Sequence, residues 1–130
     1  MKEEDEKDAW TDEFGVKYSK DGKKLLKCTN YYLTNYTIRQ GTRSICDHAF
    51  GGCISLQSVT IPNSVTSISN WVFRGCSSLQ SVTIPDSVTS IGDSAFYGCS
   101  SLQSIFISHK TYDRLEAELQ GLSSEIKFTD

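Results

Sequence analysis

The eight residues SLQSVTIP stand at 55–62 and again, letter for letter, at 78–85, and a third copy, SLQSIFIS, follows at 101–108. Aligned at that interval of 23, the chain gives three full rows, 45–67, 68–90 and 91–113. The columns that stay apolar are Ile45/Ile68/Ile91, Phe50/Phe73/Phe96, Cys53/Cys76/Cys99, Leu56/Leu79/Leu102, Val59/Val82/Ile105 and Ile61/Ile84/Ile107. A partial row begins at 36: Tyr36 and Ile38 fall one interval before Val59 and Ile61, and Leu33 one before Leu56. A period of roughly 20–50 residues belongs to solenoids, in which each coil buries its apolar face only against its neighbours. Identical letters recur because identical neighbours stack on one another.

Inside one coil the letters also assign the sides. Val82 and Ile84 flank Thr83 in the alternation of a strand with one buried face. Proline at 62 and 85 ends that strand by removing a ladder donor. Val88 and Ile91 then point inward from a second short extended stretch, and Ala95, Phe96 and Cys99 turn the corner inward. Stacked coils set equivalent residues about 4.8 Å apart, so each column becomes a ladder.

The rows resemble the BspA-like leucine-rich repeats of bacterial and protozoan surface proteins, through the Ile at the row start, the Ala-Phe pair, Gly-Cys, the spaced Leu and the Ile-Pro step. Residues 45–107 carry the resemblance specifically and 36–44 weakly. Where the common leucine-rich repeat has Asn this chain has Ser64, and the next apolar residue, Val65, comes one place early. The implied fold is a β-rich α/β repeat solenoid: a short leucine-rich-repeat superhelix with a parallel strand ladder and a cap at each end. A cap is needed because terminal coils would otherwise expose their core.

Residues 14–35 read as the N-terminal cap, a β-hairpin in which Val16 and Tyr18 alternate with polar residues and Asp21-Gly22 makes the turn. The repeats occupy 36–113, and 108–130 read as a C-terminal helix and strand cap overlapping the degenerate end of the last row. There Tyr112, Leu115, Leu119 and Leu122 recur at helical spacing, with Ser108 or Thr111 as N-cap. Two lysines against seven carboxylates leave residues 1–13 at −5 within a chain of net charge −3, so the remainder is close to +2. Such a leader is expected to be a disordered acidic tail. Deleting 1–10 should then change stability by less than about 0.5 kcal/mol.

Chemistry is sparse. Cys53, Cys76 and Cys99 share one column and read as small buried hydrophobes, stacked in parallel rather than facing one another for disulfides. Cys46 falls in an outward column with Ser69 and Gly92, and Cys28 lies in the hairpin. The spacing of Cys46, His48 and Cys53 matches no known zinc set. No nucleophile and base pair stands out, and no glycine run precedes a helix as a phosphate cradle would. No catalytic, cofactor or metal residues are therefore assigned, and an enzyme is not expected. The near-neutral body has no Lys/Arg stripe, which speaks against nucleic acid. No apolar run approaches the roughly 18 residues of a membrane span.

What remains is surface. On the strand face the outward positions are Ser58 and Thr60, Ser81 and Thr83, Ser104 and Phe106, with Asn35 and Thr37 one coil earlier. Small hydroxyls cost little entropy to order and offer regular donors and acceptors, although soluble ladders carry them in any case. Phe106 breaks the column, either as a binding anchor or as a residue packed under the C-terminal cap. A second patch gathers Trp71, from the column of His48 and Ser94, with Arg74 and Tyr97 of the next outward column. Trp, Tyr and Arg together are the composition of binding hot spots, though a lone Trp can also fold over its own coil.

The resemblance implies a non-catalytic protein-binding or adhesion module, monomeric, taking a protein partner such as a host or matrix protein at a cell surface or after secretion. No signal peptide is visible in MKEEDEKDAW, so Met1 as native start would place the protein in the cytoplasm. A structural spacer from a longer surface protein and an intracellular interaction protein remain as alternatives.

Overall fold

The alternation of Val, Thr and Ile and the 23-residue interval fix both the sides and the register of the ladders. In a computed structural model, which describes residues 3–130 and their side chains from residue 5 onward, the chain winds into two stacked ladders. Its elements are α1 (Glu3–Glu6), β1 (Trp10–Thr11), β2 (Val16–Tyr18), β3 (Lys24–Cys28), β4 (Asn35–Thr37), β5 (Ser44–Ile45) and β6 (Ser58–Thr60). They continue as β7 (Ser67–Ile68), β8 (Ser81–Thr83), β9 (Ser90–Ile91), β10 (Ser104–Ile107), α2 (His109–Leu115) and β11 (Ile126–Phe128).

One ladder runs β4-β6-β8-β10-β11, all parallel, with Asn35 opposite Ser58, Ser58 opposite Ser81 and Ser104 opposite Ser81. The other runs β1-β2-β3-β5-β7-β9, antiparallel through the hairpin and parallel from β3 onward. Between them lies the core. Phe50, Phe73, Leu56, Leu79, Val65, Val88, Cys53 and Cys76 are all fully buried. The three phenylalanines form a column, Phe73 stacking on Phe50 and on Phe96 at 5.5 Å each. Each repeat thus contributes one ring, one thiol and a few aliphatic side chains to a continuous spine.

The N-terminal end differs from the sequence expectation. The acidic leader, read as a disordered tail over 1–13, carries α1 and β1, and β1 pairs antiparallel with β2 through Trp10 opposite Tyr18. Only residues 1–2 of that reading lie outside the described residues. Two forces hold the leader. Trp10 stacks on the Tyr18 ring at 5.1 Å while the Arg39 guanidinium covers Trp10 at 5.0 Å. The leader's carboxylates also meet the hairpin's lysines, Glu6 with Lys17, Asp5 with Lys24 at 2.9 Å and Asp8 with Lys20 at 3.9 Å. Opposite charges placed on two segments far apart in sequence convert an acidic run into a strap.

Behind the strap, Asp12 accepts hydrogen bonds from the backbone N–H groups of Phe14 and Val16 and from the Tyr36 hydroxyl at 2.6 Å. The Tyr36 and Tyr18 hydroxyls meet at 2.5 Å. Burial, and then the Asp12 carboxylate, push the Tyr36 phenol above its ordinary range.

The C-terminal end is less regular than one helix. Ser108 caps α2, its hydroxyl accepting from Thr111 N, and Asp86 of the preceding coil accepts from both Ser108 Oγ and Thr111 Oγ1. After Leu115 the chain tightens into a 3-10 turn over Glu116–Leu119, and a second such turn covers Ser123–Glu125. The tightening brings the chain round so that β11 reaches β10, which a continuous helix would not allow. Leu115 and Leu119 still point inward. Phe128 and Asp130 close the end against His109, the former by stacking at 3.7 Å and the latter through the ring Nδ1 at 2.8 Å.

Candidate binding surfaces

Strand pairing settles the geometry of the hydroxyl face. Ser58, Ser81 and Ser104 line up in one row, and Thr60, Thr83 and Phe106 in the next, with Lys127 of β11 extending the second row. The serines are half-buried and the threonines exposed. Ser58 already donates to Asn35 Oδ1 at 2.6 Å, so part of the row's hydrogen-bonding capacity is used within the ladder. Phe106 is 38% exposed between Thr83 and Lys127. It therefore does not pack under the cap, because β11 joins the ladder beside it instead of crossing over it.

The corner brings together what the letters only placed in adjacent columns. Trp71 is half-buried, with the Arg74 guanidinium over its ring at 5.2 Å and the edge of Tyr97 against it at 5.5 Å. The His48 ring of the preceding coil lies parallel to Trp71 at 6.3 Å. Trp71 thus spans three coils rather than folding over its own. Tyr97 is 61% exposed, and Arg74 is exposed as well.

The backbone beneath is unusual. His48, Trp71 and Ser94 all take left-handed φ, at 59°, 60° and 53°. A Cβ there crowds the following carbonyl, at a cost of roughly 1–2 kcal/mol per residue, and a bulky side chain is rare in that region. The corner survives because neighbouring coils bind it: His48 N donates to Asn70 O, Trp71 N to Asp93 O and Gly75 N to Tyr97 O. Glycine is the residue this conformation favours, yet the middle coil holds a tryptophan. The same φ recurs at this column in all three coils, so the turn belongs to the repeat, and the middle coil alone places a tryptophan on it. No letter pattern announces the turn, since its sign is a backbone property.

The cysteines behave as packing. All five are free thiols, and Cys28, Cys53 and Cys76 are buried. Cys76 Sγ donates to Phe50 O and Cys99 Sγ to Phe73 O, both at 3.2 Å, so each thiol ties its coil to the one before. Burial pushes Cys76 up to about 12 and Cys99 up to about 11. The side-chain hydrogen bond between the Cys28 and Cys53 thiols lowers the pKa of the former and, with burial, raises that of the latter. Cys46, expected outward and exposed, is half-buried, and burial raises its pKa too. Among the described residues no group of three or more His, Cys, Asp or Glu side chains is placed to hold a metal, and no helix is long and apolar enough to cross a membrane.

Comparison with known proteins agrees with the ladder. No curated protein matches the chain. Among solved structures, a leucine rich cell surface protein from Faecalibacterium prausnitzii is 41% identical over 58% of this chain and 20% of its own, with a TM-score of 0.56. A leucine-rich repeat protein from Eubacterium ventriosum shares 25% identity over 78% of this chain and 27% of its own, with a TM-score of 0.70. A third, from Bacteroides capillosus, shares 26% over 77% and 72%, with a TM-score of 0.61. The chain spans only about a fifth to a quarter of the length of the first two. The BspA type leucine rich repeat region matches residues 24–119 in six copies, beyond the three full rows and one partial row legible as letters. That match covers most of the molecule, and the chain belongs to the BspA-type leucine-rich repeat family.

Proposed function

We propose that the chain is a non-catalytic protein-binding module, used for adhesion at a cell surface or after secretion, whose partner is a protein of the host or matrix class. It acts as a monomer and engages that partner through the corner formed by Trp71, Arg74 and Tyr97. The observation that carries this reading is the cluster itself: a tryptophan on a left-handed turn, held between His48, Arg74 and Tyr97 across three coils. Aromatic and arginine side chains, rigid and partly desolvated, dominate binding energy at protein interfaces. Leucine-rich repeat families are generally non-enzymatic, and one solved relative is described as a cell surface protein; both support the reading. The exposed Phe106 in a row of hydroxyls favours a second reading, binding on the strand face.

Capture from cell and host extracts on three baits tests the choice: the wild type, Trp71→Gly at the corner and Thr60→Arg/Thr83→Arg on the strand face. Trp71→Gly is chosen because glycine accepts the left-handed turn, so the bait stays folded by circular dichroism. Captured proteins are identified by mass spectrometry and rebound in purified form. Loss with Trp71→Gly alone supports the corner, and loss with the threonine variant alone moves the site to the strand face. Absence of any partner on all three baits favours a spacer within a longer protein.

A further inference from the structure

We infer that the corner takes an acidic segment of its protein partner, one presenting Asp or Glu carboxylates beside an aromatic or aliphatic side chain; this rests on the reading of the corner as the binding surface. Next to Trp71 the surface sinks into a hollow of about 340 Å³ lined by Lys27, His48, Gly51, Gly52, Arg74 and Gly75. None of these lining residues is acidic. Lys27 reaches across from β3 to the His48 carbonyl at 3.4 Å, which holds its ammonium at the rim. Arg74 is held in place by the Trp71 ring.

The charge distribution elsewhere sharpens the point. The hairpin lysines Lys17, Lys20 and Lys24 are each matched by a carboxylate of the leader. Lys27 and Arg74 make no ion pair among the described residues. In a chain of net charge −3, the leader neutralises the hairpin's cations, while Lys27, half-buried, and Arg74, exposed, stand together at one hollow without a carboxylate in its lining. Asp47, beside His48 in sequence, is engaged by Asn70 N at 3.0 Å.

A guanidinium braced on an aromatic face presents its fork to a carboxylate in a fixed plane, the geometry that makes Arg a two-point carboxylate binder. The three glycines add no side chains, so a partner's backbone can come close to the floor. Trp71, which carries the Arg74 guanidinium on its ring, and Tyr97, whose ring meets the Trp71 edge-on, add aromatic surface beside the hollow, outside its own lining. A segment with acidic and apolar side chains in alternation meets all three features. A purely polyanionic chain would use the cations and leave the aromatic surface uncovered.

Fluorescence anisotropy with the full chain tests this. The probe is a labelled 12-residue peptide alternating Glu and Tyr, compared with its Gln/Tyr counterpart, a heparin oligosaccharide and vesicles containing phosphatidylserine. The acidic peptide is expected to bind at least ~10-fold more tightly than the neutral one and to weaken as salt shortens the screening length. Lys27→Gln/Arg74→Gln should cost ~10-fold or more, while Lys110→Gln/Lys127→Gln, away from the corner, should cost less than ~2-fold. The inference is overturned by equal binding of the acidic and neutral peptides, by no binding of the acidic one, by preference for heparin or vesicles, or by an unchanged affinity in the Lys27/Arg74 variant. A partner captured through Trp71 but insensitive to Lys27 and Arg74 would sink this inference alone. Capture indifferent to Trp71 would remove the corner reading beneath it.

Discussion

Phe73 lies between Phe50 and Phe96 with its ring fully enclosed. Coils on both sides prevent collapse into the space it would leave, so Phe73→Ala should cost about 3–5 kcal/mol. Denaturant unfolding measures this directly, and an unchanged midpoint would contradict the stacking register. Cys76 makes a second case. Its thiol, raised from an ordinary 9.0 to about 12 by burial, keeps its proton in the folded state where the unfolded chain would lose it. The folded state therefore binds more protons between those two values, and stability falls as pH rises from about 9 toward 12. Cys76→Ala should flatten that decline by roughly 1 kcal/mol per pH unit, read from unfolding midpoints at pH 8, 9 and 10; an unaltered slope would refute the assignment. The inward positions of both residues were legible as columns. The bond from each thiol to the preceding coil was not, because carbonyl direction has no letter.

At the scale of elements, the leader shows where sequence reasoning failed. Charge density and polar composition marked it as solvated, but its partners, Lys17, Lys20 and Lys24, sit in a different segment, the hairpin, which the leader's own letters do not reveal. One aromatic residue at its end, Trp10, makes the difference between a tail and a strand. The stack on Tyr18 and the Arg39 contact are worth roughly 1–2 kcal/mol together, whereas surface ion pairs contribute about 0–1 kcal/mol each. Deleting residues 1–10 should thus destabilise the chain by roughly 1–2 kcal/mol rather than leave it unchanged, and Trp10→Ala alone should account for most of the loss. Thermal melts of both variants decide it. A deletion without effect would restore the reading of the leader as a tail. The opposite end fails more gently: leucine spacing revealed the buried face, and only the tightening into 3-10 turns escaped it.

For the whole molecule, the solenoid and its register were readable because repetition multiplies one weak signal by the number of coils. Val, Thr and Ile in a single strand say little; three rows in phase leave one way to stack. Surfaces have no such amplification. Trp71, Arg74 and Tyr97 each depart from their columns, so periodicity could mark them as exceptions but not show that they touch. The measurement that bears most directly on a binding corner is site-specific photocrosslinking to the captured partner. A benzoylphenylalanine would replace Tyr97 in one preparation and Thr83, on the strand face, in another. Crosslinks from position 97 and none from 83 are the expected result. Crosslinks from 83 with none from 97 would place recognition on the hydroxyl ladder and contradict the corner.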